Sequence, residues 1–277
     1  MSKYTYTKLT AALLLTLCSQ SILASGITRD IRESANTEDA REDGGYFELG
    51  VGVYVTNTII FKGNEDDKKY AVGPQINLGY QWKGLFIDIN DDDGFVFGYN
   101  ALNTDHWSYD IVGGSIFGID SDVSDDFVSL RKRESVGTIG IRATGFYNKD
   151  IFQFEVKRAS NDDFDGLQAS VLAGTSWQYR NLNTHMVVGL HYSAEDINDY
   201  YWGVNSEEAS DEFEEYKVSA STTFSTELGI TYPISESWVF RSKLNYVYGS
   251  DEFSNSPLRA DDTQHFLSAR ATVSYVF

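Results

Sequence analysis

Residues 136–157 read VGTIGIRATGFYNKDIFQFEVK. In the first half, Ile139, Ile141 and Tyr147 alternate with Thr138, Arg142 and Thr144. The pattern breaks at Asn148–Asp150 and resumes with Phe152, Phe154 and Val156 opposite Gln153, Glu155 and Lys157. Strict alternation places apolar side chains on one face of a strand and polar ones on the other, so the stretch predicts a hairpin of two half-buried strands. Each arm outruns the about five or six residues of a globular strand. Taken singly, the arms compare with the about nine to eleven residues that a tilted strand needs to cross a bilayer.

The same period runs outward in both directions. Toward the N-terminus, Phe47, Leu49, Val51, Val53 and Val55 oppose Glu48, Gly50 and Gly52. Val72, Ile76, Leu78, Tyr80 and Trp82 oppose Gly73, Gln75, Asn77 and Gln81, and further runs cover 84–90, 94–102 and 106–117. Toward the C-terminus, one strand passes through Leu167, Ala169, Val171, Ala173 and Trp177. The next sets Met186, Val188, Leu190 and Tyr192 opposite His185, Gly189, His191 and Ser193. Residues 222–232, with Leu228, Ile230 and Tyr232, form another strand. Trp238, Phe240, Leu244, Tyr246 and Tyr248 then face away from Arg241, Lys243 and Asn245. The last strand sets Leu267, Val273, Tyr275 and Phe277 against Ser268, Arg270, Thr272 and Ser274, giving about twelve strands.

The joints alternate in length. Lys83, Asn103–Asp105, Asn148–Asp150, Arg180–Asn183 and Pro233–Ser237 are short; 57–69, 117–135, 158–166, 194–221 and 250–263 are long. Only Asn90–Asp93 departs from the trend. This parity predicts an all-β fold: a transmembrane, antiparallel up-and-down β-barrel with short periplasmic turns and long extracellular loops. An open sheet edge in lipid leaves unpaired N–H and C=O groups, each expensive, so the sheet must close.

Residues 1–24 read as a signal peptide: Lys3 and Lys8 precede the apolar run Leu9–Leu17, and Ile22-Leu23-Ala24 offers a cleavage site. Residues 25–45 show no hydrophobic period and read as a disordered periplasmic lead, leaving 46–277 for the barrel. The single cysteine, Cys18, lies inside the leader behind Leu17, where a lipidation signal needs a small residue. The mature chain then has no disulfide and no cysteine metal site. Losing Lys3 and Lys8 takes the net charge from −19 down by two, to −21. A field of that sign repels nucleic acid. The expected location is the outer membrane of a Gram-negative cell.

Tyr275 and Phe277 end the last strand as an aromatic pair two residues apart, a pattern read by the barrel-assembly machinery, although Thr272 stands where that signal usually has glycine. Beyond residue 190, the Tyr200-Tyr201-Trp202-Gly203-Val204 stretch is followed by Ser206-Glu207-Glu208-Ala209-Ser210, Tyr216, Tyr232 with Trp238, and Asn255-Ser256-Pro257-Leu258. These motifs resemble the MipA/OmpV family of outer-membrane proteins; Trp202 replaces the usual Phe and Asn255 the usual Asp. The resemblance implies a non-enzymatic outer-membrane protein that scaffolds a murein hydrolase and a murein synthase. It brings no catalytic or cofactor-binding residue. Other family members are described as adhesins or as responding to salt or antibiotics.

Several residues invite a chemical reading. His191-Tyr192-Ser193 resembles the His-x-Ser pair of outer-membrane phospholipase, but Leu190 and Tyr192 take the lipid face, so His191 and Ser193 should face the lumen, away from acyl chains. Asp88-Ile89-Asn90-Asp91-Asp92-Asp93-Gly94 fails as a calcium loop because Asp93 stands at the glycine position and Tyr99 at the final glutamate. Acids gather at Glu65–Asp67, Asp120–Asp126, Asp162–Asp165, Glu207–Glu215 and Asp261-Asp262; they read as solvated loop charge, with loose divalent binding beside lipopolysaccharide as the functional option. Arg131-Lys132-Arg133 either meets lipopolysaccharide phosphates or folds inward. Glu155, Lys157, Arg142, Arg241, Lys243 and Arg270 are placed to pair across a narrow bore. The function expected is a scaffold at the periplasmic face. The alternatives are a small-solute or cation-selective channel, motivated by the acidic loops, and an adhesin using the long loops.

Overall fold

The computed structural model describes residues 43–57, 69–90, 94–116, 130–259 and 262–277. The signal peptide, most of the periplasmic lead, and the acids at Glu65–Asp67, Asp91–Asp93 and Asp120–Asp126 lie outside them.

Twelve antiparallel strands form a closed barrel. They are β1 (Gly44–Thr56), β2 (Tyr70–Trp82), β3 (Leu85–Asn90), β4 (Gly94–Asn103), β5 (Trp107–Ile116) and β6 (Val136–Tyr147). After them come β7 (Asp150–Ser160), β8 (Asp165–Tyr179), β9 (Leu182–Ser193), β10 (Ser221–Pro233), β11 (Trp238–Tyr248) and β12 (His265–Val276). Each strand pairs with its sequence neighbours, and β1 meets β12 in a register running from Glu48↔Val276 to Thr56↔Ser268. The Phe277 N–H donates to the Phe47 carbonyl at 3.0 Å, so the ladder is joined to the last residue. Closure removes the sheet edge that hydrocarbon would penalise.

Alternation decides what faces where. Val51, Val72, Ile139, Ile141, Leu190 and Leu228 are exposed on the outer surface, while Gln153, Thr144, Ser274 and Glu155 are buried on the inner one. An apolar exterior around a polar interior is a membrane barrel. Four of the five tryptophans, Trp82, Trp107, Trp177 and Trp238, stand near the short turns, with Tyr80, Tyr147, Tyr179 and Tyr232. Tyr70, Tyr192 and Tyr248 mark the opposite rim. Amphipathic rings favour these two interfaces.

The tight turns have their own chemistry. Lys83 and Gly84 both take positive φ, 49° and 83°, which gives the twist that matches a two-residue hairpin. One hairpin departs from the rest: β3 has six residues, and its register with β2 covers only Leu78–Trp82. The ladder between β3 and β4 ends at the pair Asn90↔Gly94.

Candidate functional site: a paired lumen beneath a folded cap

Charged side chains on the inner face pair with one another. Arg142 binds Glu155 at 2.7 Å and Lys157 binds the same carboxylate at 2.8 Å. Arg241 grips Glu48 with both guanidinium nitrogens, at 2.5 and 2.6 Å, and Asn77 donates to Glu48 at 3.2 Å. His185 meets Glu227 at 2.8 Å, with Lys243 at 3.7 Å from the same group. Tyr46 donates to Asp88, and Asn100 to Asp110. Among the described strand residues facing inward, Glu48, Asp88, Asp110, Glu155 and Glu227 are matched by Arg142, Lys157, Arg241, Lys243 and Arg270. That is five of each sign. The bore is charge-balanced, and the chain's large acidic excess lies elsewhere.

Packing tightens this arrangement. Gly229 is the register partner of His185, and a Cβ built on it would lie 2.2 Å from the imidazole Cε1. The ring therefore lies over the bare backbone, a position open only to glycine without a shift.

Above the bore, the loop between β9 and β10 is folded. Helix α1 (Glu195–Trp202) carries Glu195 and Asp196 in its first turn, where the helix dipole favours acids. Its Ile197, Tyr200, Tyr201 and Trp202 are buried, together with Val204, Phe213 and Val218. They form one core with Leu130, Phe164 and Leu258, resting on inward-facing Val136 and Ala159 at the tops of β6 and β7. Backbone bonds in both directions between Val204 and Tyr216, 2.9 Å each, close the loop on itself. A second helix, α2 (Asp251–Ser254), brings Phe253 edge-on to Trp202 with ring centroids 4.5 Å apart. This cap packs against the long-loop ends of β5–β8.

Arg133 holds the cap's centre and is 1% exposed. It donates to the Gly203 carbonyl at 2.7 Å and the Arg131 carbonyl at 2.9 Å, and lies 3.3 Å from Glu208. Burial lowers its pKa, and the nearby Glu208 carboxylate opposes that shift. Glu208 also accepts the Arg131 N–H at 2.9 Å. Tyr200 and Tyr201 clamp the Glu134 backbone: the Tyr200 hydroxyl accepts its N–H at 2.9 Å, and the Tyr201 hydroxyl donates to its carbonyl at 3.0 Å. Burial, with Tyr200 beside it, raises the Tyr201 phenol well above the ordinary tyrosine range.

The two most distinctive sequence motifs meet here. Ser256, from Asn255-Ser256-Pro257-Leu258, donates to the carbonyl of Trp202 at 2.6 Å. A family model described as "MltA-interacting protein MipA" matches residues 49–277. The chain belongs to the MipA family. Outer membrane protein OmpV of Vibrio cholerae is 23% identical over 239 residues, covering 84% of this chain and 87% of that protein. Outer membrane protein Omp26La of Vibrio anguillarum is 22% identical over 213 residues, covering 77% and 80%. Among solved structures, the NanC porin is similar at 10% identity and a TM-score of 0.46, over 82% of this chain and 98% of that one. The protein is thus an outer-membrane β-barrel of the MipA/OmpV type.

Within this MipA-family barrel, the residues singled out in the sequence separate clearly. His191 faces inward as its parity requires, bonded to Ser225 at 2.9 Å rather than to Ser193. Of the six expected lumenal charges, Arg142, Glu155 and Lys157 form one cluster. Arg241 pairs with Glu48, which the alternation placed on the polar face of the first strand, and Lys243 with Glu227, an acid outside the expected set. The basic run folds inward through Arg131 and Arg133, onto a cap acid rather than a lumenal one, while Lys132 stays exposed. One expectation needs correcting: Glu208, read as solvated, is buried because two arginines and the Asn205 turn satisfy it. Among the described residues, no three His, Cys, Asp or Glu side chains gather in a metal-holding group.

Proposed function

We propose that this barrel works by binding rather than by transport or catalysis, as a scaffold for murein-processing enzymes at its periplasmic face. One observation carries the reading: among the described residues, seven of the ten inward charges pair with one another beneath a packed cap, and Asp88, Asp110 and Arg270 are engaged by Tyr46, Asn100 and the Tyr54 ring. The partner class follows from the name of the matching family, MltA-interacting protein. On this reading residues 1–24 direct export, and Tyr275 and Phe277, whose rings lie 4.8 Å apart beside Phe47, present the assembly signal. Of the acidic loops that motivated a cation-selective channel, the described ones, Asp162-Asp163 and Glu207–Glu215, lie outside the strands that line the balanced bore. The folded cap gives some support to the adhesin reading, since it presents a fixed outer surface.

The test is capture of a purified murein transglycosylase by the detergent-solubilised barrel, compared with a Lys149→Glu, Arg180→Glu variant of two periplasmic turns. Weakened capture is expected, and equal capture overturns the scaffold assignment. Steady single-channel steps in planar bilayers would replace binding with conduction.

A further inference from the structure

Basic side chains gather on one side of the short-turn rim. Lys149, in the turn between β6 and β7, places its Nζ 5.4 Å from the centre of the Trp177 ring. Arg180, in the turn between β8 and β9, lays its guanidinium carbon 5.6 Å from the centre of the Tyr179 ring. The two rings sit two residues apart on the outward face of β8 and are 46% and 69% exposed. Backbone geometry sets the cations there. The Lys149 carbonyl accepts the Ser176 N–H at 3.2 Å, and Arg180 takes a left-handed φ of 53° at its turn. The result is a shelf of two aromatic faces with a cation on each.

The shelf lies at the depth of lipid headgroups. Ten residues of β8 separate Tyr179 from Ala169, the register partner of the rim tyrosine Tyr192. They rise about 33 Å along the strand and about 25 Å along the membrane normal at the usual tilt, which is the height of the apolar band. A cation lying on a ring keeps N–H groups for an acceptor beyond it. Among the described residues, no carboxylate lies within ion-pair distance of either cation. The acid beside them is Asp150, which opens β7 on the outward face opposite Thr175, two residues before Trp177.

Two cations and one carboxylate leave the shelf one net positive charge, in a chain whose own net charge is −19. The other described turns of this rim do not repeat it. The β4–β5 turn carries Asp105 and the β10–β11 turn carries Glu236, neither with a lysine or arginine. Lys83 lies 4.8 Å from the Trp82 ring, but Asp43 stands beside it and accepts the Lys83 backbone N–H at 2.7 Å. A phosphodiester of charge −1 complements the shelf, because its oxygens accept from ammonium and guanidinium alike. The rings point outward, so the occupant comes from the bilayer, and its acyl chains have the exposed apolar face of Phe152 and Val171 to run along.

We propose that Lys149 and Arg180 hold the phosphodiester of an anionic inner-leaflet phospholipid against Trp177 and Tyr179. This does not rest on the scaffold reading. The same two turns carry the charges reversed in the capture test, but no enzyme is present here, so either idea can fail alone. The experiment is native mass spectrometry of the detergent-solubilised barrel, titrated with phosphatidylglycerol or with phosphatidylcholine of the same acyl chains. Tighter binding of phosphatidylglycerol is expected. A Lys149→Gln, Arg180→Gln variant should weaken it about twenty-five-fold, at about fivefold for each cation near a lipid surface. Lys83→Gln should leave it unchanged, and circular dichroism checks that each variant keeps its strands. Equal binding of the two lipids by the wild type, a double variant that keeps the preference, or an equal loss in Lys83→Gln overturns the proposal. So does displacement of the lipid by glycerol phosphate at matched concentration, which would assign the shelf to a soluble anion.

Discussion

Replacing Arg133 with alanine removes the cation at the centre of the cap while leaving the barrel wall untouched. The Gly203 and Arg131 carbonyls lose their donor, and the buried Glu208 carboxylate loses its closest guanidinium. Breaking one side of a buried ion pair costs about 3–5 kcal/mol. The lower end applies here, because the Arg131 N–H still donates to Glu208 and the Arg131 guanidinium remains 3.5 Å away. About 3 kcal/mol is a rise of roughly a hundredfold in the population with the cap opened. Hydrogen exchange on the folded protein in detergent reads this directly: amides of α1 and of Val204 and Tyr216 should exchange about a hundredfold faster, at about 1.4 kcal/mol per tenfold. Amides of β7 and β8 below the rim should be unchanged. An Arg133→Ala variant whose α1 amides exchange at the wild-type rate refutes the claim that this side chain holds the loops together. A double variant, Arg133→Met with Glu208→Leu, should recover much of the protection, because replacing both members of a buried pair avoids the stranded charge.

Raising the pH should loosen the same cap. The Tyr201 phenol holds its proton more tightly folded than unfolded, so its contribution is complete below the ordinary tyrosine pKa and is lost as pH climbs past about 10. Exchange at α1 should accelerate there in the wild type and less so in Tyr201→Phe, which itself costs about 1 kcal/mol for the lost bond to Glu134. Gly229→Val drives a side chain into the His185 ring and should destabilise the barrel by about 1–3 kcal/mol, seen as a lower urea midpoint for unfolding in detergent. Arg142→Ala leaves Glu155 with Lys157 as its one remaining cation, so bilayers that are silent with the wild type should show cation-selective leakage; continued silence would mean that this pair does not block the bore.

The barrel was legible because its physics is local. Period-two alternation in Ile139–Val156, or in Met186–Ser193, needs no knowledge of the rest of the chain, and the long–short parity of joints sets the orientation. What depends on closure was not legible. Glu48 was placed on the polar face, but its partner Arg241 lies 193 residues away and is brought near only when β1 meets β12. The cap escaped for a different reason. Its acids drew attention to solvation, although Ile197, Tyr200 and Tyr201 already carried the i, i+3, i+4 spacing of a buried helical face. A run of three aromatics inside a long polar loop was the available signal of a folded cap.

The cap's core is drawn from segments far apart in the chain: Leu130 and Arg133, Phe164, the turn of α1, and Leu258 with Phe253. A loop that packs only against itself can be exchanged between related barrels like a cartridge. Here a transplanted 194–220 segment would arrive without the arginine, the phenylalanines and the serine hydroxyl it was shaped to meet. Chimeras should therefore succeed only when residues 130–136 and 250–259 travel with it.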